Sequence, residues 1–102
     1  MIHVVAVITA KPGQRQNLLA YFLANVPAVR AEKGCIEYGA VVDAENALAF
    51  QTKCGPDTYL VIEKWESMEA LKAHAAAPHM AAFAAKAKEF IANRVIHILR
   101  PA

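Results

Sequence analysis

The residues of this chain that can do chemistry gather in one stretch. It runs Tyr59-Leu60-Val61-Ile62-Glu63-Lys64-Trp65-Glu66-Ser67, followed by Leu71, His74, Pro78-His79-Met80 and Phe83. It holds the single tryptophan and two of the four histidines. Strand side chains alternate, so Tyr59, Val61, Glu63 and Trp65 share one face. Buried carboxylates are rare unless paired, so plain core packing does not account for Glu63. His79 follows Pro78 at a helix start, and histidine is the usual proton acceptor near neutral pH. An acid, an indole and an imidazole close in sequence are groups that can bind and move protons.

Each of these residues also has a plainer reading. Trp65 suits a core, since one buried aromatic is ordinary. Glu63 can orient a neighbour or pair with an arginine across a dimer. His79 can be structural, and a helix start disfavours its protonated form. Phe83 is a core residue that can also floor a pocket. His74 and His79 are five positions apart, a poor metal pair on one helix. Cys35 and Cys54 show no metal or redox spacing and read as two reduced thiols. No dinucleotide fingerprint or phosphate loop is present.

The elements that must position these groups follow from periodicity. Residues 2–10 are β-branched and apolar and predict a strand. Lys11-Pro12-Gly13 is a turn. Over 14–33, Leu18, Phe22, Val26 and Val29 recur at helical spacing, with Leu19 and Leu23 beside them. Pro27 should kink that helix near 23–26, and Gly34 should stop it. A second strand is expected at 35–43 and a third at 58–66, with an aperiodic segment at 44–57 between them. Ser67 is a helix N-cap candidate and Glu69 favours the first turn. Pro78 interrupts the helix, which resumes with Met80, Phe83, Ala87, Phe90 and Ile91 as its apolar stripe. A fourth strand is expected at 94–100. The order β-α-β-β-α-α-β is an α+β, ferredoxin-like pattern with an antiparallel sheet and its helices on one face.

With 102 residues, the chain reads as one domain over 1–102. A formal charge of +2, with scattered Lys and Arg, gives no nucleic-acid signature. No apolar run approaches the roughly 20 residues that span a bilayer, and no signal-peptide layout appears, so a cytoplasmic protein is expected. Strands one, three and four are apolar on both faces, yet the helices can cover only one. A homodimer packed sheet to sheet is the expected cover.

At this point the residues carry a resemblance. Gly34-Cys35-Ile36-Glu37-Tyr38, Glu63-Lys64-Trp65-Glu66-Ser67, Ala70-Leu71-Lys72-Ala73-His74 and Pro78-His79-Met80 resemble the antibiotic biosynthesis monooxygenase family, and its small quinol-monooxygenase-type members in particular. The resemblance spans nearly the whole chain. It implies a dimeric α+β barrel with a pocket between sheet and helices in each subunit. It implies oxygenation of a small aromatic or quinol substrate by O2 with no flavin, haem or metal. It turns His3, two residues before Val5, toward the pocket, and raises His79 as catalytic base beside Trp65, with Glu63, His3 and Phe83 binding substrate.

Two departures narrow this. Haem-degrading relatives carry an Asn on the first strand, a haem-ligand His on the last helix and a pocket Trp. The corresponding positions here are Val5, Ala84 and His74, so haem is not expected. The segment 44–56 exceeds the family's compact turn and is a candidate pocket rim or dimer contact. A cofactor-free oxygenase needs a substrate whose own anion passes an electron to O2. The same parts would serve a small-molecule isomerase, or a non-catalytic dimer that binds a hydrophobic metabolite.

Overall fold

Alternating apolar residues and a proline-led turn begin the fold, and the computed structural model describes residues 1–102. Strand β1 spans Ile2–Ala10 and helix α1 Arg15–Arg30. The turn between them places Gly13 at φ +75, where its N–H donates to the Asp57 carboxylate at 3.0 Å. Leu18, Phe22, Val26 and Val29 form the buried stripe of α1. Leu23 is exposed instead, one position off the stripe. The helix continues through Pro27 to Arg30 and closes before Gly34.

Strand β2 (Cys35–Val41) and strand β3 (Thr58–Trp65) follow. Between them lies an irregular loop, held by Asp43, whose two carboxylate oxygens accept the N–H groups of Cys54 and Gly55 at 2.9 Å each. Helix α2 spans Met68–Ala75 and helix α3 Pro78–Ala87. Ser67 caps α2 by accepting the Ala70 N–H at 3.2 Å. Pro78 takes the first position of α3, where its missing N–H costs nothing. Strand β4 runs Ile91–Leu99, three residues earlier than expected, so Ile91 belongs to the strand and not to the helix, which ends at Ala87.

The four strands pair antiparallel in the order β2-β3-β1-β4, with the three helices on one face, a ferredoxin-like fold. Val4 lies opposite Glu63, Ala6 opposite Val61 and Ile8 opposite Tyr59, so these six share the helix-covered face. The other parity, Val5 and Val7 with Leu60 and Ile62, is only half-buried. No helix is long and apolar enough to cross a membrane.

Candidate functional site

A cavity of about 410 Å³ opens between the covered sheet face and helices α1 and α3. Its walls are Ala6, Ile8, Phe22, Tyr38, Tyr59, Val61, Met80, Phe83, Ala84, Ala87, Ile91 and Ile96. Three charged side chains join them: Glu63, Lys88 and Arg94. Phe22 organises the aromatic wall. Its ring stacks on Tyr38 at 5.2 Å, tilts against Tyr59 at 5.6 Å and meets Phe83 edge-on at 6.3 Å.

Glu63 is the one acid of that lining, and it is 8% exposed. The indole N–H of Trp65 donates to its Oε1 at 2.9 Å. Its second oxygen accepts no protein hydrogen bond, and Glu63 lines the cavity. Burial pushes the Glu63 carboxyl above the ordinary carboxylate value of 4.5. The Trp65 N–H and the His74 charge pull it partway back, and the Glu32 charge raises it. A carboxyl moved toward neutral pH is better matched to moving protons.

The sequence assigns Tyr38 and Tyr59 no role, although Tyr38 closes one family-like motif and Tyr59 opens the stretch that holds Glu63; both flank this acid. Tyr38 is the cross-strand partner of Glu63 on β2, and Tyr59 lies on the same face of β3. Burial raises the Tyr38 hydroxyl strongly, with the Glu63 charge adding to it. Burial pushes Tyr59 up to about 12. Both remain neutral hydroxyls near pH 7, suited to steer a ring rather than to ionise. Strand parity already puts Tyr59 on the Glu63 face, whereas Tyr38 reaches it through cross-strand register, which parity does not reveal.

The expected site residues separate in space. Glu63 and Phe83 line the cavity. Trp65 is fully buried behind Glu63 and acts on it through the indole N–H. His79 lines a different, outer groove of about 260 Å³ with Tyr21, Asn25 and Lys86. Its Nε2 lies 3.4 Å from Glu32 Oε2 but off the hydrogen-bonding direction, so both ring nitrogens are buried without a partner. His3 does not turn toward the cavity. The buried members of β1 are Val4, Ala6, Ile8 and Ala10, which puts His3 and Val5 on the uncovered face. Ala84 does line the cavity. The loop between β2 and β3 stays clear of it, with Leu48 and Phe50 exposed.

Behind the acid lies a buried polar cluster. His74 is 5% exposed, and its ring packs on the Trp65 indole at 4.7 Å between centroids. Its Nδ1 meets Glu32 Oε2 at 2.8 Å, and Tyr38 closes the other side edge-on at 5.6 Å. Since a carboxylate only accepts, Nδ1 carries the proton of that bond. No three His, Cys, Asp or Glu side chains are arranged to hold a metal ion.

Comparison with known proteins agrees with this architecture. Residues 1–86 match the antibiotic biosynthesis monooxygenase family. The chain is 40% identical to the probable quinol monooxygenase YgiN of Escherichia coli over 103 aligned positions, covering 99% of this chain and 98% of that protein. The crystal structure of PA3566 from Pseudomonas aeruginosa superposes with a TM-score of 0.80 at 28% identity, covering 99% of this chain and 94% of that one. Rv0793 from Mycobacterium tuberculosis shares the fold, with a TM-score of 0.81 at 24% identity over 99% of this chain and 94% of that one. The chain therefore belongs to the antibiotic biosynthesis monooxygenase family.

Proposed function

We propose that this protein is a monooxygenase that oxidises a small phenol or quinol with O2, using electrons from the substrate itself. The observation that carries the reading is Glu63, a buried carboxyl with one free oxygen and a raised pKa in an otherwise apolar, aromatic-lined cavity. Membership of a monooxygenase family and likeness to a protein named as a quinol monooxygenase support it.

In this reading the ring packs among Phe22, Phe83 and the tyrosines. Glu63 accepts the phenolic proton, making an electron-rich anion. The anion passes an electron to O2, and the radical pair joins at a ring carbon as a peroxide anion, which takes the proton back from Glu63 to become a hydroperoxide. The O–O bond then breaks as the proton on that carbon passes to Glu63. One oxygen atom stays as the new quinone carbonyl. The other leaves as hydroxide, takes a proton from Glu63 and departs as water. The phenol loses four electrons and O2 gains four, so no outside reductant enters. Holding ring and oxygen together in a dry site supplies the remaining acceleration.

The half-buried face of the sheet supports a second element of the reading, a homodimer joined through Val5, Val7, Leu60 and Ile62.

The test is turnover of a naphthol and hydroquinone series under 18O2. The reading expects one labelled oxygen in each quinone and one O2 consumed per product. Conversion that proceeds equally without oxygen would replace it with an isomerase. Saturable binding without conversion of any member would replace it with a binding protein.

A further inference from the structure

Glu32 and His74, behind the cavity, have no part in the chemistry derived so far. Burying His74, Trp65 and Glu63 beside a half-buried Glu32 is costly unless each polar group is paired, and the pairing here runs in one direction. Glu32, just beyond α1, takes the Nδ1 proton of His74 at 2.8 Å. His74, on α2, lays its ring on Trp65 at 4.7 Å and an interplanar angle of 34°. Trp65, on β3, gives its N–H to Glu63 Oε1 at 2.9 Å. Contacts from the turn after α1, from α2 and from β3 thus end on one carboxylate oxygen.

We infer that Glu32 and His74 are positioning residues, which fix the Trp65 indole and through it hold Glu63 with a single oxygen facing the cavity. The inference rests on Glu63 as the proton acceptor of the proposed reaction. Fixing Oε1 matters because a carboxyl free to rotate presents either oxygen, and misplacement lowers the rate of proton transfer. The cluster also sets charge. A cation at His74 favours the Glu63 anion, the Glu32 anion opposes it, and burial opposes it most. The neighbouring titratable groups on β2 and β3, Cys35, Tyr38 and Tyr59, are all raised first by burial and stay neutral near pH 7, and Lys88 and Arg94 line the same cavity from beyond α3 and from β4. His79 completes the surroundings of Glu32 at 3.4 Å.

The chain's single tryptophan makes this measurable without substrate. In 15N-labelled protein the one indole N–H resonance belongs to Trp65. In wild type it should be shifted by its hydrogen bond, slow to exchange, and should show a pH inflection that disappears in Glu63→Gln. In His74→Gln the signal should lose exchange protection at least about tenfold, and the inflection should move to higher pH. The double variant Glu32→Gln, His74→Phe strands no buried charge and serves if the single one does not fold. It should lose the same exchange protection and show a smaller upward move, because it also removes the Glu32 charge that opposes the Glu63 anion. Glu32→Gln alone keeps an acceptor for Nδ1 and should restore most of the protection that Glu32→Leu loses. An indole signal unchanged in position, protection and inflection in the His74 variants would overturn the inference. Turnover reads the other question: if Glu63→Gln removes the inflection but leaves turnover intact, the catalytic reading of Glu63 fails while the positioning stands.

Discussion

The two faces of one sheet differ more than their sequences do. Both parities of β1 and β3 are largely apolar, yet one face packs under three helices and holds Glu63, while the other stays half-buried and holds His3. On the covered face a single acid sits among aromatics and is tied to Trp65. On the uncovered face Val5, Val7, Leu60 and Ile62 form a smooth apolar surface whose polar neighbours, Glu37 and Lys64, pair at 3.3 Å in solvent. A charge becomes reactive where burial raises its energy and a partner fixes its geometry. The same residue type at an exposed site is only a solvated ion, worth little. The covered face is thus read as a site, and the uncovered one as a surface to be joined.

The sharpest way to break this contrast is Glu63→Gln, which keeps the shape and removes the base. Turnover should fall by roughly 10²–10⁴-fold, with KM changed far less. In wild type, activity should rise with pH through the raised Glu63 value, above the ordinary carboxylate range. The stability consequence has a definite sign. The folded state holds the Glu63 proton more tightly than the unfolded one, so this group's contribution is fully present below pH 4.5 and is lost as pH rises through the raised value. Glu63→Gln should therefore flatten that part of a denaturation-against-pH curve. An unaltered curve would mean the carboxyl is not held as described.

The next test acts on the uncovered face. Val5→Lys with Ile62→Lys puts two charges on a facing cross-strand pair. Light scattering should report twice 11.1 kDa for wild type and 11.1 kDa for the double variant. An 11.1 kDa wild type at micromolar concentration would remove the dimer.

Gly34 tests how the covered face is closed. It has φ +86, and an added Cβ would stand 2.6 Å from the Ala70 Cβ on α2, while its carbonyl accepts the Glu66 N–H at 2.8 Å. Gly34→Ala should cost roughly 1–3 kcal/mol in urea unfolding through backbone strain and the displaced helix. Wild-type stability would show that α2 is free to move.

Smallest are the histidines outside the cavity. His79→Ala should lower turnover less than about tenfold, below the range of a positioned acid–base group, and His3→Ala less still. A loss of about 10² or more at His79 would return the proton acceptor to that residue.

Much of this was legible in the sequence. Helical spacing gave the buried stripe Leu18, Phe22, Val26 and Val29, and strand parity put Tyr59, Val61, Glu63 and Trp65 on one face. The orientation of His3 was not legible, because β1 is apolar on both parities and alternation then carries no information. Glu32 lies just beyond a helix end among charged neighbours, and only the turn through Gly34 brings it to His74. His79 follows Pro78 at a helix start as the sequence indicates, but the sequence does not say which side of α3 faces the cavity. Its neighbours Met80 and Phe83 reach the cavity, whereas its own ring lies toward Glu32.

The central claim is that the carboxyl of Glu63 starts an oxygen-consuming oxidation in the aromatic cavity. Oxygen uptake on a naphthol or hydroquinone, compared between wild type and Glu63→Gln at matched folding, measures it directly. The account predicts one O2 consumed per quinone formed by wild type and almost none by the variant. Equal uptake by the two proteins would contradict it.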